Sequence, residues 1–349
     1  MSEHHHHSSH HHHHHHQHHA SAAEKRTRGM IALIVLVVVV AVGVIIGGMY
    51  EQKQNVEQRT AMDEHFGKLP TMEYGGVTYR MRSGLTPVLL IGYDKTDSVQ
   101  EGFRSGGQAD FLLLMVIDHS NKQVYRLHLD RDSMTNVKVI GMTGREIGTS
   151  VKQICLAHAF GKTQEENNQY TMDAVSNMLQ GVPLELYASM NLASLRQLNH
   201  ILGGVTVKIE DDFSQYDEQM VPGAQLTLTD AQAELFLHSR MTIGDGANTS
   251  RMRRHRAYMA GAFDTIQKKL RADTGYANTL LELMDSILET NMAKGRIINE
   301  LNSAATYDIL PFDMLEGEHS IGRNGYVEFH VDEESIMNWI IRAYYEPMK

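Results

Sequence analysis

Three mainly apolar runs, at 88–92, 111–117 and 124–129, stand close together, with turn residues such as Pro87, Gly92, Asp118 and Asp130 at their ends. Short apolar runs bounded by turn residues are consistent with strands of a buried sheet. The polar step Asp118-His119-Ser120-Asn121 is of hairpin length, so an antiparallel pair is expected there. Further strands are expected at 77–81, 184–190, 205–209 and 327–331. Between them lie helical patterns: 192–202 carries Leu192, Leu195, Leu198 and Ile201 at threefold spacing and stops at Gly203-Gly204. Others cover 230–238, a long helix after Ser250 with the stripe Met259, Phe263, Ile266 and Leu270, one helix over 277–300, and a last one over 332–345. Alternation of this kind predicts an α/β fold, a central mixed sheet flanked by helices as an αβα sandwich.

Ahead of that region, Met30 to Met49 contains no charged residue. At about 1.5 Å per residue, about 20 residues match the hydrocarbon thickness of a bilayer. Lys25, Arg26 and Arg28 precede it and Glu51 follows it, so the positive-inside rule puts the N-terminus in the cytoplasm and the rest outside. The first 19 residues hold 13 of the 22 histidines and cannot build a core. An appended tag, a metal-binding tail and inert low-complexity sequence all fit that tract. The expected organisation is a His-rich tail at 1–29, one transmembrane helix at 30–49 in the cell membrane and a linker at 50–86. A main domain follows at 87–275, with an extension at 276–349 packed on the same core.

The formal charge is −10; residues 1–49 carry three basic and two acidic groups, so the remainder holds that whole deficit and one more. Such a surface argues against nucleic-acid binding. The single cysteine, Cys155, excludes an internal disulfide, and its apolar neighbours make it a small core residue rather than a nucleophile.

Against this acidic background, Ser250-Arg-Met-Arg-Arg-His-Arg256 opens the long helix. Arg251, Arg254 and His255 share a face by three- and four-residue spacing, beside a helix N-terminus that already favours anions. Arg240 stands on a separate segment. The acidic half comprises Asp94 and Asp110 at strand ends, with the pair Arg131-Asp132 closing a third strand. Two carboxylates holding a hard cation such as Mg²⁺, with guanidinium groups gripping phosphate oxygens, is a common phosphate-handling arrangement. The chain lacks a G-x-x-x-x-G-K-[ST] loop, an H-E-x-x-H helix and a G-x-S-x-G elbow.

Taken in order, Leu-Leu-Ile-Gly-Tyr-Asp94, Ala-Asp110, Leu-Asp-Arg131-Asp132-Ser, Leu-Gly-Gly-Val-Thr-Val at 202–207, His-Ser-Arg240 and Arg251-Met-Arg-Arg254 resemble the LytR-CpsA-Psr family of envelope phosphotransferases, over 86 to about 270. The resemblance implies Mg-assisted transfer of a phosphoglycopolymer from a polyprenyl-pyrophosphate lipid to peptidoglycan. By position, Asp94 and Asp110 would hold the metal. Arg131, Arg240, Arg251 and Arg254 would hold the diphosphate, with Gln108 and His255 beside them. The catalytic set would be Asp94, Asp110, Arg131 and Arg251, and an apolar cavity between sheet and helices would take the prenyl chain. Gln108, Gln153, His238 and His255 depart from the commoner pattern, where Arg, Lys, Arg and Gln are frequent. These changes imply weaker or pH-dependent diphosphate binding through His238 and His255. A non-catalytic diphosphate or glycan binder that regulates envelope synthesis, and a pyrophosphatase on the same lipid, stand beside the transferase as alternatives.

Overall fold

A computed structural model describes residues 69–95, 106–141, 144–240, 243–244 and 248–348. The charge-free stretch at 30–49 and the His-rich tract lie outside them. Among the described residues, no helix is long and apolar enough to cross a membrane.

From Pro70 onward the chain forms one unit. It opens with the hairpin β1 (Thr71–Tyr74) and β2 (Val77–Met81), turned by Gly75-Gly76, both at positive φ. Then come β3 (Leu85–Asp94), β4 (Gln108–Asp118), β5 (Gln123–Leu129), a second hairpin of β6 (Met134–Ile140) and β7 (Glu146–Gln153), and helix α1 (Gln164–Met178). Next are β8 (Leu186–Asn191), α2 (Leu195–Leu202), β9 (Thr206–Lys208), β10 (Gln225–Thr227), α3 (Asp230–His238) and α4 (Asn248–Ala272). The remainder is α5 (Tyr276–Met284), β11 (Glu289–Thr290), α6 (Lys294–Ala304), β12 (Asp308–Asp313), β13 (Gly317–Ile321), β14 (Val327–Val331), α7 (Glu333–Tyr344) and β15 (Tyr345–Pro347).

Six strands make the central sheet in the order β11-β8-β3-β4-β5-β12. The β3–β4 and β4–β5 pairs are antiparallel, whereas β8 runs parallel to β3 and β12 parallel to β5. The sheet is therefore mixed, and both faces are covered. On one face Leu89, Leu112, Leu114, Leu127 and Leu129 pack with Met172 and Val175 of α1 and Ile336, Trp339 and Ile340 of α7. A second core lies among α2, α3 and α4, where Leu195, Leu202, Phe236 and Tyr258 meet. The C-terminal helix thus shares a core with β3–β5, and β15 returns to pair with β2.

One expected feature differs, and one helix is unannounced by the sequence. The single helix over 277–300 is two helices, because Thr290 and Asn291 bond to the sheet edge instead of continuing the turn. Thr290 Oγ1 donates to the Tyr187 carbonyl, and Asn291 Oδ1 accepts from Tyr187 N at 3.0 Å while its Nδ2 donates to the Glu185 carbonyl at 2.6 Å. Helix α1 carries no apolar stripe to announce it, since its buried side includes Asn167, Asn168 and Thr171. Its start is set instead by Thr163, whose hydroxyl accepts from Glu166 N at 3.1 Å. Thr163→Ala is therefore expected to lower stability by about 1 kcal/mol, read as a shift of the urea midpoint without a change of slope.

A β-bulge shapes the sheet's functional end. Gly92 pairs with Phe111 and Tyr93 with Ala109, leaving Asp110 as an extra residue. The consequence is visible in the core: Ala109 joins Leu112, Leu114 and Val116 on one face, although strict alternation would send it to the other. Asp110 is thereby released from the ladder and aimed at α4.

Candidate functional site

The site forms where β3 ends, β4 begins and β5 ends, beside the N-terminus of α4. Asp110 sits at its centre, with its carboxylate contacting the Arg131 guanidinium on one oxygen and Arg251 Nη1 on the other at 2.9 Å. All three side chains are largely buried. Arg251 is held in place by Asn248, the first residue of α4, whose Oδ1 accepts from Arg251 Nη2 at 2.9 Å. The Asn248 amide donates in turn to Asp130 Oδ1 at 2.9 Å. A three-residue helical step thus joins the helix start to the end of β5.

Asp94 is exposed at the tip of β3 and accepts a hydrogen bond from Gln108 N at 2.7 Å. The side-chain carbonyl of Gln108 accepts from Arg131, so Asp94, Gln108 and Arg131 are linked in one chain. The approach is close because Gly107 has a φ of +74°, and a Cβ there would strike the Asp94 carbonyl. Burial lowers the Arg251 pKa to about 10, helped by the neighbouring charges of Arg131 and Arg240. Burial raises the Asp132 carboxyl, as does Asp130, while Arg131, Arg240 and Arg251 oppose the rise. Arg240 therefore lies within electrostatic reach of the cluster, and its buried Nε has no hydrogen-bond partner among the described residues.

Not every expected anion ligand joins this group. Arg254 is 2% exposed and gives Nη1 to Asp211 Oδ2 at 2.7 Å and Nε to the Phe236 carbonyl at 2.8 Å, with the Ser239 carbonyl as a further acceptor. It braces the segment that leads to Arg240. His255 lies deeper, its Nε2 donating to the Leu237 carbonyl at 3.1 Å and its ring edge-on to Phe111 at 5.5 Å. Burial, then the Arg251 charge, lowers its pKa to about 3. The expected titration of His255 near neutrality is thus overturned by its burial: the ring stays neutral there. His238 is exposed, and Gln153 donates to the Val327 carbonyl at 2.6 Å, tying β7 to β14.

Several supporting residues carry no sequence signal of their own. His158, fully buried, donates from Nδ1 to the Gly106 carbonyl at 2.9 Å and stacks on Tyr93 at 4.7 Å between ring centroids. It fixes the backbone two residues before Gln108. Cys155 is buried beside Arg131, whose Nη2 lies 3.4 Å from Sγ, and burial raises its thiol to about 11. That thiol is not an ionised nucleophile at neutral pH.

Below the charged cluster an apolar cavity of about 200 Å³ opens between the sheet and the helices. Leu90, Gly92 and Phe111 form its floor, and Leu198, Met259 and Phe263 part of its walls. Phe111 follows Asp110 directly, and His255 stands one helical turn beyond Arg251, so charged cluster and apolar cavity share two elements.

The two carboxylates expected to hold a divalent cation are both engaged in this structure: Asp110 faces Arg131 and Arg251, and Asp94 accepts from Gln108 N. No group of three or more His, Cys, Asp or Glu side chains stands ready to hold a metal among the described residues. A Mg²⁺ ion at these two carboxylates would need water and substrate phosphates to complete its shell.

Two teichoic acid transferases are similar in sequence. The polyisoprenyl-teichoic acid–peptidoglycan teichoic acid transferase TagU of Bacillus subtilis is 31% identical over 153 residues, 44% of this chain and 43% of that protein. The TagU of Halalkalibacterium halodurans is 29% identical over 168 residues, 48% and 49% of the two chains. The chain spans about half the length of the curated relatives it matches. In structure, B. subtilis TagV superimposes with a TM-score of 0.55 at 18% identity, covering 74% of this chain and 95% of that one. A structure described as TagT bound to LI-WTA gives 0.56 at 16% identity, covering 75% and 90%. These two likenesses concern the fold. The sequence model of the LytR_cpsA_psr family matches residues 45–340, most of the chain, and the protein belongs to that family.

Proposed function

We propose that the protein is a membrane-anchored phosphotransferase that moves a phosphoglycopolymer from a polyprenyl-pyrophosphate lipid to peptidoglycan. The observation that carries this reading is the apolar cavity beside Arg131 and Arg251 on Asp110, with Arg240 in electrostatic reach of Arg251. A lipid diphosphate has the same division, an apolar chain and a doubly charged head. The names of the curated relatives, polyisoprenyl-teichoic acid–peptidoglycan teichoic acid transferases, support the same substrate class.

In the resting site Asp110 stands in for a phosphate and neutralises two guanidinium groups. An arriving diphosphate takes over these donors, and the uncommitted Nε of Arg240 adds a further one. Asp94 and Asp110 would hold Mg²⁺, which supplies charge neutralisation at the diphosphate when bound. An acceptor sugar hydroxyl then attacks the phosphorus that bears the polymer. The bond to the lipid phosphate breaks, polyprenyl monophosphate leaves with the electron pair, and the hydroxyl proton passes to solvent. Arg131 and Arg251 stabilise the charge that builds on the bridging and terminal oxygens.

The test is the full chain in vesicles carrying a polyprenyl-diphosphate glycopolymer, with Mg²⁺ and peptidoglycan sacculi. The expected result is polyprenyl monophosphate released in step with polymer bound to the sacculi. Monophosphate released at the same rate without an acceptor would make the protein a pyrophosphatase. Binding of the lipid without either product would make it a non-catalytic binder.

A further inference from the structure

The hairpin of β13 and β14 is held along its strands, at the His319–Phe329 pair and where the Val327 carbonyl accepts from Gln153, and its turn is exposed. Midway along it, His319 Nε2 lies 3.0 Å from Asp130 Oδ2 and its ring stacks on Phe329 at 4.5 Å. Phe329 N donates to the Asp132 carbonyl at 2.8 Å. Both acids flank Arg131, so the hairpin springs from the rim of the charged cluster. Its tip, Ile321-Gly-Arg-Asn-Gly-Tyr326, is ordered by bonds from Gly322 N to the Tyr326 carbonyl at 2.8 Å and from Gly325 N to the Gly322 carbonyl at 2.9 Å. Yet Ile321 is 70% and Tyr326 65% exposed, and Arg323 is exposed between them.

That combination runs against the rest of the chain. With a formal charge of −10 overall, the tip has one cation and no acid across six residues. The nearest acids on the hairpin are Glu328, which pairs with His330 at 3.4 Å, and Glu318, which stands opposite His330 in the strand register. A branched aliphatic residue, a tyrosine and an arginine on a rigid turn form the set that settles at a membrane–water interface. The aliphatic group reaches toward the acyl chains, the phenol rests at headgroup depth and the guanidinium meets anionic phosphates.

We propose that this tip inserts into the headgroup layer of an anionic bilayer and holds the charged cluster at the level of the lipid diphosphate. The inference rests on the lipid-substrate reading above. Strand residues rise about 3.4 Å each, so the turn stands about 10 Å beyond the His319–Asp130 contact. A lipid whose chain fills the apolar cavity must enter from the bilayer, and its head must stop at the arginines. A hairpin rooted beside those arginines sets that height.

Selective labelling makes a direct test possible, because Cys155 is the single cysteine and is buried. The full chain carrying Asn324→Cys is labelled with an environment-sensitive fluorophore and reconstituted in phosphatidylglycerol-rich vesicles. The expected result is a blue-shifted emission that is quenched by lipids bearing a nitroxide at the headgroup. A label at Thr306→Cys, exposed near the start of β12 at the opposite end of the sheet, is expected to stay bright. Adding Ile321→Asp and Tyr326→Asp to the Asn324→Cys chain is expected to abolish quenching with the thermal midpoint unchanged. An unquenched label at 324 on a chain that stays with the vesicles after carbonate washing overturns the proposal while leaving the lipid-substrate reading intact. Loss of the chain in the wash removes the anchor and this proposal together. A shift at 324 produced by soluble glycan strands alone would assign the tip to the acceptor and overturn it as well.

Discussion

Replacing Arg251 by alanine is expected to slow polymer transfer by about 10²- to 10³-fold or more, the usual cost of removing one preorganised donor from a developing oxyanion. The geometry also says how the fold will respond. Arg251 is buried and bonded to Asp110 and Asn248, and breaking a buried ion pair commonly costs about 3–5 kcal/mol. Here the loss is smaller, because Arg131 remains on Asp110 and the repulsion among Arg131, Arg240 and Arg251 is relieved. That repulsion is one reason the Arg251 pKa falls to about 10. The variant should therefore fold, bind lipid diphosphate weakly and release little monophosphate. Arg251→Lys keeps the charge but not the planar fork and should fall in between. Arg253→Ala serves as the control, since Arg253 is half-exposed and pairs with Glu210 and Asp211 outside the cluster. Release of monophosphate by Arg251→Ala at the parent rate would remove the proposed mechanism.

The second large effect concerns acid. Burial drives down the pKa of His158 to about 4, of His255 to about 3, and of His128 in the same direction. In the unfolded chain these rings titrate near 6.5. Below that pH the unfolded chain takes up protons that the folded chain refuses, so stability falls as pH drops. Each ring contributes about 1.4 kcal/mol per pH unit until its folded value is reached. From pH 6.5 to 5, His158 and His255 together account for roughly 3–4 kcal/mol, and His128 adds with the same sign. Asp132 works the other way, but one carboxyl against three rings leaves the direction unchanged. Urea midpoints at pH 7.5, 6 and 5 should decline steadily, and His158→Gln should flatten the decline by one ring's share. A midpoint independent of pH across this range would show that these imidazoles accept protons where they stand.

The three central strands could be read from sequence because burial on both sides leaves continuous apolar runs, as at 111–117. The hairpin of β6 and β7 escaped, since β6 buries only Thr135, Val137 and Ile140 and β7 buries no residue, with Ile147 and Val151 facing solvent. Helix α1 was hidden by the polar residues on its buried side. In the site, Asp110, Arg131 and Arg251 come together; the first two stood out as charges at the ends of apolar strands, and Arg251 as part of a basic cluster opening a helix. Helical spacing placed Arg251 and Arg254 on one face, and both are buried there. What spacing could not reveal is that Asp211, from a distant loop, claims Arg254 for bracing. His158 likewise gave no sign, because its partner is a backbone carbonyl 52 residues earlier.

The extra residue in β4 has a further implication for how this protein can change over time. Substitutions around Asp110 alter one side chain and leave the strand's parity alone. Loss of one residue between Ala109 and Leu112 would restore strict alternation with those two still on one face, and would return the remaining residue to the ladder and take the carboxylate away from α4. Lineages that keep the charged centre must therefore diversify this segment at constant length.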